Sequence, residues 1–265
     1  MNIKLGYYPD GRKKALTMSY DDGHIYDRRL VELFNQYGIK GTFHLNSGFF
    51  GREQILDSAE IGELFKGHEV SAHSLTHPAL SLTPGELLTA EILEDRKNLE
   101  SLVGYPVRGM SYPFGDFNDA ILKALPALGI EYSRTVLSHG RFQLPGDFLQ
   151  WHPTCHHGDN LMARLEAFRH TSEWQQMPLL YVWGHSYEFH RNNNWELIEE
   201  FCRAASFLDD VWYATNIEIA DYVTALRRLK FSVDRTMIFN PSAIQLWVGI
   251  DGEAVAIRPG ETIKV

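Results

Sequence analysis

Residues 14–45, "KALTMSYDDGHIYDRRLVELFNQYGIKGTFHL", hold the reading that decides the fold. "KALTMSY" (14–20) is a short apolar run of strand type that stops at two carboxylates, Asp21 and Asp22. In "YDRRLVELFNQYG" (26–38), Leu30, Leu33, Phe34 and Tyr37 recur at helical spacing and Gly38 ends the segment. "KGTFHL" (40–45) returns to strand. A helix between two strands, with no hairpin turn, predicts a parallel βαβ unit.

The alternation continues outward. "DSAEIGELFKG" (57–67) reads as a capped helix and "HEVSAHS" (68–74) as a strand. "TPGELLTAEILEDRKNLESLVG" (83–104) is the clearest helix, with Thr83 at its N-cap and Gly104 past its end. "VRGMSYP" and "IEYSRTV" are strands around the helix "NDAILKALPALG". The pattern resumes at "DFLQWHP" (147–153), then a helix near 160–170, the strand "PLLYVWGHS" (178–186), a helix near 195–208, "VWYAT", and a helix over 219–230. So many units favour closure over an open sheet, so the expected class is α/β, a distorted (β/α)7-type barrel over residues 1–230. Residues 231–265 lose the helical period. There "IQLWVGI" and "EAVAIRP" flank a "DG" turn at 251–252, which predicts a small antiparallel β appendage.

Bulk properties narrow the function. The chain has 265 residues, 44% hydrophobic and 22% charged, an ordinary globular composition. A net charge of −9, with no basic run longer than "GRKK", argues against a nucleic-acid partner. No apolar run is long enough to span a membrane, and the N-terminus lacks a signal-peptide core, so a cytoplasmic location is expected. Two cysteines, Cys155 and Cys202, make no disulfide framework. The unpaired edges of the tail hairpin offer a surface for dimerisation.

In parallel α/β domains reactive groups collect at the carboxyl ends of strands. Asp21 and Asp22 follow the first strand, His73 and His77 the third, Tyr112 and Pro113 the fourth, and His185 the strand "LLYVWG". His73 and His77 are four apart, which on a helical turn would suit a shared cation, though spacing alone does not decide it among twelve histidines. Two carboxylates and three histidines converging on one rim make the stronger case.

Four segments together, "SYDDG" (19–23), "HSLTH" (73–77), "RGMSYPFG" (108–115) and "YVWGHS" (181–186), resemble in order and spacing the polysaccharide deacetylase family, also called the NodB-homology or carbohydrate esterase family 4 group. The resemblance covers roughly residues 14–220. It implies a divalent metal held by Asp22, His73 and His77, a water activated on that metal as nucleophile, Asp21 as general base, and His185 as the acid for the leaving group. It also implies a backbone N–H near Phe114 that holds the oxyanion. Zinc suits such ligands best, and Co2+, Ni2+ or Fe2+ also fit. The implied activity is removal of acetyl groups from an N- or O-acetylated saccharide.

Two departures from the family pattern stand out. The arginine expected two residues before the proline of the third motif is Ser111 here, and Arg108 is the nearest guanidinium to orient Asp21. The aspartate–tryptophan motif that partners the acid histidine is absent. "LQWHPTCHHGD" (149–159) lies in its place, with Trp151 and His156 as pocket candidates beside Tyr112 and Phe114, and Glu188 as a second candidate to tune His185. These changes leave two alternatives open: a hydrolase of a non-sugar amide, formamide or ureide on the same metal, or a non-catalytic carbohydrate-binding protein.

Overall fold

The computed structural model describes residues 2–265. After a short strand β1 (Ile3–Lys4), the segment that opens the barrel folds as expected: β2 (Lys14–Asp21), α1 (Asp27–Gln36) and β3 (Gly41–Leu45). α1 buries Leu30, Val31, Leu33 and Phe34, the apolar face that its spacing defines. The chain continues through α2 (Ile61–Leu64), β4 (Glu69–Ala72), α3 (Gly85–Val103), β5 (Gly109–Ser111), α4 (Asp119–Ala124) and β6 (Tyr132–Arg134). Next come β7 (Cys155–His156), α5 (Leu161–Arg169), β8 (Leu179–Gly184), α6 (Ser186–Arg191), α7 (Trp195–Ala205), β9 (Val211–Tyr213) and α8 (Asn216–Arg227).

The parallel strands run in the order β6–β5–β4–β3–β2–β8–β7, and β9 joins the first residues of β2. Closure is made by Trp151. Its N–H donates to the Ser133 carbonyl at 3.0 Å, and its own carbonyl accepts from Thr135 N–H at 3.0 Å. Because Trp151 precedes β7, the sheet curls into a distorted (β/α)7-type barrel whose seam is a single bridge.

Some local expectations give way. Thr83 does not cap α3; its hydroxyl bonds back to the Ala79 carbonyl at 2.9 Å, and Pro84 stands ahead of the first turn. The helix expected over 57–67 shortens to a 3-10 turn and α2, although Asp57 and Glu60 do form a capping box. "DFLQWHP" contributes a short 3-10 turn and the seam residue rather than a full strand.

The lower mouth of the barrel is plugged by α8. Its first N–H groups reach inward, Asn216 N–H to Thr42 Oγ1 and Ile217 N–H to Glu69 Oε2, each at 2.9 Å. A buried carboxylate at a helix N-terminus satisfies donors that otherwise have no partner. Beneath α8 lie the strands β10 (Lys230–Phe231), β11 (Met237–Phe239), β12 (Leu246–Ile250), β13 (Glu253–Ile257) and β14 (Thr262–Lys264), all antiparallel. β12 and β13 pair around Asp251 and Gly252, and β1 adds to the free side of β12 by the register Ile3–Ile250. Leu246, Val248 and Ile257 are fully buried in one cluster with Tyr222, Val223 and Leu226 of α8. Each such side chain stabilises this layer by about 1.5–3 kcal/mol.

Candidate functional site

At the upper rim, β2 ends at Asp21, and the left-handed turn at Asp22 sends the two consecutive carboxylates to different surroundings. Asp21 is 2% exposed. Its carboxylate accepts a hydrogen bond from Ser111 Oγ at 3.1 Å and an ion-paired bond from Arg134 Nη2. Burial pushes this carboxyl up, but Arg134, with His73, His44 and His185, holds it well below the usual carboxylate range. Asp22 has left the strand at φ 78° and turns outward. Its Oδ1 lies 3.6 Å from His73 Nε2 and 3.8 Å from His77 Nε2.

His73 follows β4, but the loop to His77 is not a helical turn. Ser74 and His77 both adopt left-handed backbone, at φ 62° and 56°, and these twists bring the two imidazoles together with ring centroids 4.7 Å apart. Asp22, Ser74, His77 and Phe114 all have positive φ, so this rim concentrates non-glycine residues in a strained region.

The donor set fits a divalent cation. His73 Nδ1 meets the Ser111 carbonyl at 2.9 Å and Ser111 Oγ at 2.7 Å. A carbonyl only accepts, so Nδ1 carries the proton and Nε2 turns a lone pair toward the Asp22 carboxylate. Asp22, His73 and His77 place ligand atoms within 4.8 Å of one another. Such mutually facing acceptors call for a cation between them, and one carboxylate with two imidazoles leaves coordination positions free for substrate.

His185 caps α6 directly after β8, across the site from this trio. Its Nε2 is 4.0 Å from Asp21 and 3.9 Å from Asp22. Burial pushes this imidazole down, but Glu188 and the two aspartates outweigh it, and the net shift is upward.

Arg108 does not reach Asp21. It precedes β5, three residues below Ser111, or about 10 Å along the strand. Its guanidinium pairs instead with Asp221 at 2.8 and 2.6 Å and with Glu131 at 3.0 Å at the lower mouth. The guanidinium at Asp21 belongs to Arg134, the last residue of β6. Arg134 is the direct cross-strand partner of Ser111, fully buried, and stacked 4.6 Å from the Trp183 ring. The positive charge has thus moved one strand sideways at the same level. His44 completes the floor, opposite Asp21 in register and bonded to Ser19 Oγ at 2.9 Å, with burial pushing it down to about 3.

The expected sugar-facing residues divide. Phe114 is 68% exposed and lies edge-on to His77 at 4.5 Å. Tyr112 and Trp151, each 1% exposed, do not face the rim. Tyr112 donates to the Leu149 carbonyl at 2.8 Å, and Trp151 packs between Phe148 and Tyr181 in the lower core. Trp151, in register with Arg134, faces the barrel interior, whereas Tyr112, next to the inward-facing Ser111, lies on the opposite side of the sheet and stacks on Phe117 at 4.8 Å. His156 is turned toward Glu188, at 2.9 Å, rather than into open space.

The polysaccharide deacetylase family profile matches residues 9–133. Over 120 residues, 44% of this chain and 25% of the other, the chain is 28% identical to chitin deacetylase 1 of Cryptococcus neoformans. It is also 28% identical to a peptidoglycan-N-acetylglucosamine deacetylase of Bacillus cereus, over 45% of this chain and 55% of that one. The chain therefore matches between about a quarter and about half of the length of these relatives. A solved Mycobacterium smegmatis structure described as a polysaccharide deacetylase shares the fold, with TM-score 0.61, 17% identity, and coverage of 84% of this chain and 94% of that one. The Xyl-CE4 domain of a multidomain xylanase from a Trinervitermes trinervoides hindgut metagenome aligns with TM-score 0.53 and 14% identity, over 80% and 92% of the two chains. The polysaccharide deacetylase profile thus matches the first half of the barrel, and the fold of the whole barrel is shared with solved structures of that description.

Proposed function

We propose that this protein is a metal-dependent hydrolase that removes acetyl groups from an N- or O-acetylated saccharide. The observation that carries the reading is the division of labour between consecutive carboxylates. Asp21 is locked to Arg134 and Ser111, while Asp22 faces the bare Nε2 of His73 and lies 3.8 Å from Nε2 of His77. A divalent cation held by Asp22, His73 and His77, zinc in our reading, would polarise the acyl carbonyl and make a water nucleophilic near neutral pH. Asp21 accepts that water's proton; its ion pair keeps it ionised throughout the working range. His185, on the opposite side, hands a proton to the departing amine or alkoxide. Phe114 presents an apolar surface beside His77, and the backbone N–H of its turn serves the oxyanion. The buried, unbridged thiols of Cys155 and Cys202 support a cytoplasmic setting.

The test is acetate release from a panel of N-acetyl and O-acetyl saccharides, with chelator-stripped protein and with zinc or cobalt restored. Release that depends on added metal supports the reading. Tight metal uptake with no acetate released from any saccharide overturns the sugar assignment. One observation favours a second reading, a non-sugar amide, formamide or ureide: Tyr112 and Trp151 are buried, which removes two aromatic platforms from the rim. Formate or ammonia release from formyl and ureide substrates would then replace acetate release.

A further inference from the structure

A second histidine–carboxylate group lies beside the first. Glu188, on the first turn of α6, accepts from His156 Nε2 at 2.9 Å and His157 Nε2 at 3.0 Å, both through Oε2. Its other oxygen, Oε1, lies 3.6 Å from His185 Nδ1. The three side chains place ligand atoms within 4.8 Å of one another, as Asp22, His73 and His77 do. Hydrogen bonding separates the two trios. His156 Nδ1 accepts the Gly158 N–H at 3.1 Å, so in the neutral ring the proton sits on Nε2, and that atom has no lone pair for a metal. In His73 the order is reversed, with Nδ1 protonated and Nε2 bare.

His157 is held as firmly. Its ring is 3% exposed, stacked 4.1 Å from Phe189 and 5.8 Å from Tyr20. The room for it exists because residue 184 is glycine: a Cβ there would lie 2.1 Å from His157 Nδ1. Two ring N–H donors, with the His185 backbone N–H at 3.4 Å, thus claim one carboxylate oxygen and leave the other between His185 and the exposed Arg191 guanidinium, 3.7 Å away. A gap of 3.6 Å is too long for a hydrogen bond, and such contacts tighten when substrate is bound.

Resting on the assignment of His185 as the acid, we propose that Glu188 is the positioning residue for His185 and that His156 and His157 form the clamp that aims it. Glu188 accepts a hydrogen bond from the Nδ1–H of His185, which keeps its proton there, so Nε2, the atom nearest the two aspartates, is the one that gives its proton to the leaving group. The arrangement selects for substrates whose leaving group must be protonated, amides above activated esters.

The experiment uses Glu188→Gln in the full, zinc-loaded chain. The clamp's two N–H donors take the amide oxygen, so the amide NH2 faces His185 and forces its Nδ1 to accept, the wrong tautomer. Hydrolysis of an N-acetylglucosamine oligomer should fall roughly 10²- to 10⁴-fold in kcat with little change in KM. Cleavage of 4-nitrophenyl acetate, whose leaving group departs unprotonated, should change by less than about threefold. His157→Phe, which keeps the stacking and removes one donor, should show the same selectivity with a smaller loss. Equal losses on both substrates overturn the proposal, as does zinc stoichiometry falling from two per chain to one in Glu188→Gln. A tautomer readout stands apart from activity: in the 15N spectrum of histidine-labelled protein, His185 should carry its proton on Nδ1 in wild type and lose it in Glu188→Gln. If wild type cleaves neither substrate, the proposed function fails, and an unchanged His185 spectrum would by itself refute the positioning role.

Discussion

The two mouths of the barrel each bury a carboxyl group, and they treat it in opposite ways. Asp21 at the upper rim is 2% exposed and Glu69 at the lower mouth 5%. Asp21 faces a guanidinium and is held ionised against its burial. Glu69 meets only neutral donors, the Tyr132 hydroxyl at 2.7 Å, the Thr42 hydroxyl at 2.9 Å and the Ile217 N–H at 2.9 Å. Burial there pushes it up to about 7. Depth does not set the sign of the shift; the charge of the nearest partner does. The carboxylate at the rim is given a cation, and the one that ties a helix into the floor is given hydroxyls and amides.

The comparison breaks first at Asp21. Asp21→Asn keeps the shape and removes the proton acceptor, so turnover should fall roughly 10²- to 10⁴-fold while zinc still binds by equilibrium dialysis. A variant that keeps full turnover would sink the assignment of the base. Arg134→Met comes next. Removing one partner of a buried ion pair costs about 3–5 kcal/mol, so denaturant midpoints should drop sharply and activity with them. A midpoint near wild type would mean that Asp21 keeps its ionised state by some other contact.

Glu69 should respond to pH in the opposite sense from Asp21. A carboxyl whose folded-state pKa is raised from 4.5 to about 7 favours folding while protonated, so its contribution is full below 4.5 and is lost as pH rises through 7. The whole span is worth at most about 3 kcal/mol. Glu69→Gln should flatten the decline in stability between pH 5 and 8, measured by urea unfolding. An identical decline in the variant would assign the effect to Asp27 or Asp95, whose carboxyls burial also pushes up, to about 8 and about 7.

The same contrast explains what could be read beforehand. Asp21, Asp22, His73, His77 and His185 were accessible because each lies at or just past the end of an apolar run, and strand ends share one rim. Arg134 obeyed the same rule in "EYSRTV". The third motif nevertheless points to the strand of Ser111, because cross-strand register is set by neighbours far away in sequence. Tyr112 and Trp151 are buried where the sequence predicts pocket residues, because aromatic composition does not say which face of a curled sheet a ring occupies. The small sheet at the foot of the barrel needed β1, some 250 positions from its partner strand, and no local pattern announces that pairing.

Ser111→Ala probes a smaller link, the hydroxyl that joins Asp21 to His73. The carbonyl of residue 111 still fixes the His73 tautomer, so zinc affinity should weaken by about tenfold, the lower end for a lost outer partner. Unchanged affinity would leave the orientation of His73 to the carbonyl alone.

Arg108→Met should do least, and for that reason it separates the two arginines cleanly. Arg108 keeps about a third of its side chain in solvent, and its partners Asp221 and Glu131 are more exposed still. Pairs of that kind contribute about 0–1 kcal/mol, because water already solvates both members and two long side chains lose freedom to meet. Arg108 joins the start of β5 to α8, so the change should lower stability slightly and leave kcat and zinc binding alone. A large loss of turnover in Arg108→Met, with Arg134→Met mild, would reverse the assignment and return the orienting charge to the third motif. The opposite ranking means that the guanidinium beside Asp21 is fixed by its height on the barrel wall, and that the strand supplying it can change.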